Sequence, residues 1–282
     1  MSHTEHDHDA IRAAVRATYA KAITEPASSG CCGTVTSSTE LAKLNRYTDD
    51  DVASVPSEAA ESSLGCGNPL GLASVRSGDT VLDLGSGAGF DCLLAAKRVG
   101  SLGCVIGIDM TPEMVARATA NIAKAGAENV QIRLGTMEEL PVEDASVDLV
   151  ISNCVINLSP DKEAVFHEIA RVLRPGGRMV VSDIVLTAQI PEDIRGDLAL
   201  WGSCLGGALQ ESEYLATIAS AGLAEPKVEA RTTYGPEMIE DYLSGSSCAC
   251  SAGSGARFSA VHRAALAGNV HSITVTAHRA VH

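Results

Sequence analysis

Two groups of residues in this 282-residue chain have the types and spacing to do chemistry. The first lies in residues 81–91, VLDLGSGAGFD, where a short apolar run passes straight into a glycine-rich turn. Gly85, Gly87 and Gly89 let backbone N–H groups come close to a ligand. Asp83, two residues ahead of the first glycine, can attract a cationic group. Asp109, in IGIDM, ends the next apolar run, the position from which an acid holds ribose hydroxyls. The spacing is G-x-G-x-G; a dinucleotide fingerprint needs its third glycine where this chain has Phe90. The second group is the cysteines, nine in all, with no C-x-x-C…C-x-x-C spacing of a structural zinc site. Thiols that persist in a reducing compartment and are not structural suit redox or soft-metal chemistry.

Positioning these residues takes alternating strands and helices. Strands are expected at 80–84, 104–108, 130–134, 147–152 and 178–184. A helix follows Gly89. The next has Thr111 as N-cap, Pro112 in its first turn and Gly126 at its end. Ser159 and Pro160 open another, with Val165, Ile169 and Val172 on one face, and Arg174-Pro175-Gly176-Gly177 stops it. This rhythm predicts an α/β fold, a Rossmann-like, mostly parallel sheet with helices on both faces. Residues 185–210 break the rhythm as an insertion. A helix at 211–221 and a strand at 227–233 resume it, and 270–277 reads as an antiparallel last strand. An amphipathic helix with Ile11, Val15, Tyr19 and Ile23 on one side precedes everything. The expected divisions are an N-terminal helical and loop segment (1–65), a cofactor-binding domain (66–184), an insertion with sheet completion (185–245) and a tail carrying the last strand (246–282).

Composition narrows the partners. A net charge of −14 argues against nucleic acid and anionic membrane surfaces. No apolar run is long enough to span a bilayer, and the polar start MSHTEHDHDAIR is neither a secretory signal nor a transit peptide, so the expected location is the cytoplasm. Aromatic residues are only 3%, which leaves little for an aromatic-lined substrate pocket.

D-L-G-x-G-x-G resembles motif I of class I S-adenosylmethionine-dependent methyltransferases. That resemblance implies S-adenosylmethionine as cofactor, with Asp83 attracting its ammonium group. The expected cofactor set is Asp83, Gly85, Gly87, Gly89, Asp109, Met110, Met137, Glu138 and Asn153. Met137 also reads as core filler, and Glu138 as an exposed helix acid. Among the thiols, Cys154 follows the fourth strand, at the carboxyl ends that face the ligand crevice of an open parallel sheet. Cys204 lies in the insertion that starts at a neighbouring carboxyl end, and Cys66 in a turn just ahead of the sheet. Three thiolates converging there make a soft trigonal site suited to a trivalent metalloid such as arsenic. Either Cys154 or Cys204 taken singly also fits a packing role, the role assigned to Cys92 and Cys104.

The phrases SLGCGNPL, VLDLGSGAGFDCLLAA, GIDMTPEM, SNCVINLSPDK, RVLRPGGR and CLGGAL resemble the arsenite methyltransferase family over about residues 40–245. Such membership implies arsenite, bound as a thiol conjugate, as substrate, and methylated arsenicals plus S-adenosylhomocysteine as products. The family's metalloid thiols carry onto Cys154, Cys204 and Cys66, and a further N-terminal one onto Cys31 or Cys32, here Cys32. A thiol reductant, thioredoxin or glutathione, is the implied protein or small-molecule partner, with a disulfide among Cys31 or Cys32, Cys66 and Cys154 as one electron route. Cys248 and Cys250 lie outside the shared phrases. The alternatives are a small-molecule C-methyltransferase and a nonenzymatic thiol protein that sequesters metalloid.

Overall fold

The sheet reverses its winding between β1 (Thr80–Leu84) and β4 (Val147–Asn153), and everything chemical sits at that reversal. A computed structural model describes residues 8–24, 47–61, 65, 67–195, 201–202, 204–244 and 258–281. Its seven strands run in the order β3-β2-β1-β4-β5-β7-β6. β2 (Cys104–Asp109) and β3 (Val130–Leu134) extend one way from β1, and β4 and β5 (Leu173–Leu186) the other, all parallel. β7 (Val270–Arg279) then inserts between β5 and β6 (Leu223–Thr233), antiparallel to both. The expected mostly parallel Rossmann-like sheet is therefore present. The last strand is antiparallel as expected, and it is an interior strand, closing β6 onto the sheet.

β1 shows why the sequence folds this way. Val81, Leu82, Asp83 and Leu84 are all buried, as a central strand covered by helices on both faces requires. Leu82 and Leu84 pack into one apolar cluster and Val81 into the other, so the sheet separates two cores. Each fully buried leucine or isoleucine there contributes about 1.5–3 kcal/mol.

Helix boundaries differ from expectation where local caps decide them. α1 (His8–Thr24) buries Ile11 and Val15. Two short helices, α2 (Asp49–Ala53) and α3 (Ser57–Glu61), precede the sheet. α4 (Phe90–Val99) follows the glycine turn. α5 (Pro112–Ala125) ends at Gly126 with φ +65°, but Thr111 caps its start without a side-chain bond; its N–H instead donates to Asp109 Oδ1 at 2.8 Å. α6 (Lys162–Val172) starts later than Ser159-Pro160, because Asp161 is its cap and Oδ1 accepts from the Ala164 N–H at 2.9 Å. β5 takes over directly at Leu173, so Arg174-Pro175-Gly176-Gly177 lies within the strand, with Gly176 at φ +79° bending it. α7 (Glu192–Arg195), α8 (Glu211–Ser220), α9 (Pro236–Ser244) and α10 (Ala260–Leu266) complete the described helices; α9 is an addition to the sequence reading. No helix among the described residues is long and apolar enough to cross a membrane.

Candidate active site

A cleft opens at the carboxyl ends of β1, β2 and β4, where the strand order reverses. The glycine turn forms its floor. Gly85 has φ +65°, and a Cβ there would meet the Val155 side chain at 2.6 Å, so only glycine fits. Gly87 has φ +52° with nothing within 4 Å of a built Cβ, so its backbone faces open space. Gly89 does not line the cleft. It caps α4 at φ +86°, a left-handed conformation that favours glycine, while a Cβ there would meet Ala118 of α5 only at ordinary contact distance, 3.4 Å.

One half of the cleft is acidic. Asp83, at the end of β1, is only 3% exposed, and the Cys92 thiol donates to its Oδ2 at 3.2 Å. Burial, then the nearby Asp91 charge, holds the Asp83 carboxyl well above the usual range. Asp109 accepts from the Gly87 N–H at 3.0 Å and the Thr111 N–H at 2.8 Å, and burial raises it as well. These bonds fix the carboxylate across the glycine turn while leaving lone pairs toward the cleft.

Asp91 was not singled out from the sequence as a site residue, yet it organises this half. It is buried on the first turn of α4, takes a 2.6 Å bond from Tyr47 Oη and a 3.3 Å bond from Asn153 Nδ2, and burial raises its pKa. Tyr47 is itself raised, by burial and then by Asp91. Asn153 Nδ2 also donates to the Gly67 carbonyl at 2.8 Å, and its Oδ1 accepts from the Gly67 N–H at 3.1 Å. A Cβ at Gly65 would collide with Asn153 at the end of β4, and one at Gly67 would fall 2.6 Å from Ser182 of β5, so each glycine packs closely on one of these two neighbouring strands. The available signal was an acid in the first turn of the helix that follows a glycine loop; its partners are 44 and 62 residues away and carried no signal.

Across the cleft stand Met110, Met137 and Glu138, all lining it as expected. Glu138 is held by Ser159 Oγ at 2.7 Å and by Arg12 Nε at 3.3 Å. Arg12 belongs to α1, which lays Arg12, Val15 and Tyr19 along the cleft wall. The amphipathic pattern of α1 was legible, but its seat over the site was not.

The other half is sulfur. Cys154 lines the cleft directly after β4 and has φ +64°. It is disulfide-bonded, and its partner lies outside the described residues. Cys204 does not line the cleft. It sits behind Cys154 in the same apolar cluster, 5% exposed, at φ +66°, and its thiol donates to the Cys154 carbonyl at 2.7 Å. Left-handed backbone at a non-glycine residue costs about 1–2 kcal/mol, and two such residues meet here. Cys66, Cys32, Cys31, Cys248 and Cys250 lie outside the described residues. Cys104 packs in β2 as expected, whereas Cys92 is more than filler because of its bond to Asp83. Among the described residues no three His, Cys, Asp or Glu side chains are grouped to hold a metal ion.

Comparison with known proteins places this geometry. A family model described as "Methyltransferase domain" matches residues 75–222. The chain is 48% identical over 213 residues to an arsenite methyltransferase of Halobacterium salinarum, covering 76% of this chain and 54% of that protein. It is 38% identical over 193 residues to the arsenite methyltransferase of Mus musculus, covering 64% and 50%. The chain thus spans about half the length of the curated relatives it matches. Among solved structures it resembles an arsenic(III) S-adenosylmethionine methyltransferase from Chlamydomonas reinhardtii, with a TM-score of 0.67, 34% identity, and coverage of 82% of this chain and 72% of that one.

Proposed function

We propose that this chain, which belongs to the family of arsenic(III) S-adenosylmethionine methyltransferases, transfers a methyl group to trivalent arsenic held by its own cysteines. S-adenosylmethionine bound in the cleft would supply an electrophilic methyl group on a sulfonium. The residues present fit it. Gly87 leaves an open cradle, and Asp83 is a buried acid whose carboxylate form gains from a neighbouring ammonium. Asp109 would take ribose hydroxyls on its remaining lone pairs, and Met137 and Glu138 would frame the adenine.

Arsenite, delivered as a thiol conjugate, is the substrate. Cys154 and Cys204 would hold it with Cys66, and Cys32 would serve as a further thiol. Gly65 packs on Asn153, the residue before Cys154, and Gly67 on Ser182 of β5, whose carbonyl accepts from the Cys154 N–H, which supports a third thiol from the position between them. Arsenic bound by sulfur keeps a lone pair. That pair would accept the methyl group from the sulfonium, whose carbon–sulfur bond electrons would stay on sulfur as S-adenosylhomocysteine. No base is required, since the nucleophile has no proton to lose. Holding both partners at near-attack distance supplies about 7–11 kcal/mol of the barrier. Transfer formally oxidises arsenic by two electrons, which a thiol reductant of the thioredoxin or glutathione class returns. The disulfide at Cys154 makes the same demand: two electrons and two protons open it before the thiol takes arsenic. A reducing cytoplasm suits both steps.

The observation that carries this reading is the bond from the Cys204 thiol to the backbone of Cys154, 50 residues away, which itself lines the crevice that holds the glycine turn. The test is arsenic speciation after the reduced protein is incubated with arsenite, S-adenosylmethionine and a thiol. One S-adenosylhomocysteine per methyl–arsenic bond is the expected result. Arsenite recovered unchanged sinks the proposal, and arsenite binding without any affinity for S-adenosylmethionine would mean sequestration instead.

A further inference from the structure

We infer that Lys162 is a positioning residue for the Cys204 thiol: it pins the turn that runs from Trp201 to Cys204 against the segment following β4. This rests on the proposed role of Cys204 in holding arsenic. Lys162 is 8% exposed, at the first position of α6. Neither burial nor place is explained by the helix. A lysine head loses water on burial, and a cation at a helix N-terminus opposes the helix dipole. Nothing in the proposed methyl transfer uses it.

Its contacts explain it. Nζ donates to the Ser159 carbonyl at 2.9 Å and to the Asn157 carbonyl at 3.4 Å. The ammonium lies 5.2 Å from the centroid of the Trp201 ring, a cation–π contact strengthened by its dry surroundings. Asp183 supplies the countercharge one peptide away: its carboxylate accepts from the Asn157 N–H at 3.1 Å, the Ile184 N–H at 2.9 Å and Tyr214 Oη at 3.3 Å. Asn157 is thus bracketed, its N–H on the acid and its carbonyl on the lysine.

Trp201 depends on those ring contacts. Its indole N–H is buried and finds no acceptor among the described residues. A Cβ at Gly207 would fall 1.9 Å from the Asn157 carbonyl oxygen and 2.9 Å from Trp201 Cζ3, so glycine there lets the loop close on Asn157 and the ring together. Beyond the ring, the Trp201 carbonyl accepts from the Cys204 N–H at 3.0 Å, and Tyr19 Oη of α1 holds the Gly202 carbonyl at 3.3 Å. The turn delivers Cys204 in a left-handed conformation, which persists only when the surroundings over-determine it. The lysine–tryptophan contact is one of the restraints that do so.

The test uses Lys162→Met and Trp201→Leu in the full chain. Reduced protein is alkylated with iodoacetamide under native conditions, and each cysteine is followed by peptide mass spectrometry. In both variants Cys204 is expected to react roughly tenfold faster, the size of losing a desolvated cation–π contact. Cys92, buried beside Asp83, keeps its wild-type rate. Trp201 is the only tryptophan of the chain, so in Lys162→Met its fluorescence also becomes about twofold more open to acrylamide. Unchanged Cys204 rates in both variants overturn the inference. So does equal acceleration at Cys92, which would make Lys162 a support of the whole fold. Neither readout involves arsenite or methyl transfer, so a wild-type protein that fails to methylate arsenic counts against the proposed function alone.

Discussion

The acid half and the sulfur half of the cleft are built by different rules. Asp83, Asp91 and Asp109 come from one β-α-β unit, and backbone N–H groups of the glycine turn and of Thr111 hold Asp109 in place. Cys154 and Cys204 come from separate segments, meet through a thiol–carbonyl bond, and both sit in left-handed backbone. In the acid half burial disfavours the carboxylate form of Asp83, a cost that an incoming cation would relieve. The sulfur half stores backbone strain that neighbouring side chains contain. Under the proposed function, a ligand would be recognised locally in the first, and by assembly of the chain in the second.

Replacing sulfur should separate the halves most sharply. Cys154→Ser or Cys204→Ser is expected to lower arsenite methylation about a thousandfold or more, part of the ~7–11 kcal/mol that positioning can carry. Calorimetry should find S-adenosylmethionine affinity unchanged. Parallel loss of both activities would mean that the two halves are one unit.

The reciprocal change is smaller. Asp83→Asn removes a charged partner worth about 1.5–3 kcal/mol, so S-adenosylmethionine affinity should fall roughly 10- to 100-fold. The pH dependence gives the sign. The Asp83 carboxyl is raised in the folded protein, so as pH climbs past about 3.8 the unfolded chain ionises first, and stability of the ligand-free protein declines until the folded group ionises too. A bound ammonium draws the group back down. Cofactor affinity should therefore rise with pH across the same window, with protons released on binding. In Asp83→Asn that contribution disappears; a slope as steep as wild type assigns the proton elsewhere.

Most local, and read on stability rather than on binding, is a pair of glycine substitutions. Gly87→Ala meets only the left-handed backbone cost, about 1–2 kcal/mol. Gly85→Ala adds a collision with Val155, the neighbour of Cys154, and should lose about 2–4 kcal/mol in thermal unfolding. Val155→Ala should restore part of that loss. Without such rescue, the two halves do not touch through Val155.

The same contrast governs what the sequence could tell. Asp83, Gly85, Gly87 and Asp109 were legible because motif, strand and turn are contiguous, so local physics fixes their geometry. The parallel strand pattern was legible for the same reason. The bonds of Asp91 to Tyr47 and Asn153 were not, since they cross 44 and 62 residues and involve common residue types. The seat of α1 over the cleft, through Arg12 on Glu138 and Tyr19 on Gly202, has no local signature either. Topology alone brought Cys154 to the crevice. It did not reveal that Cys204 stands behind it, because that placement depends on a buried lysine and a lone tryptophan.

The left-handed conformation at both cysteines has a consequence for drift. Glycine, and to a lesser extent asparagine, occupies such backbone at lower cost, so a lineage selected for robustness alone would trade away the thiol at Cys204, whereas the disulfide at Cys154 repays its strain. Copies of this gene released from their chemical task should lose Cys204 first, and gain thermal resilience as they do.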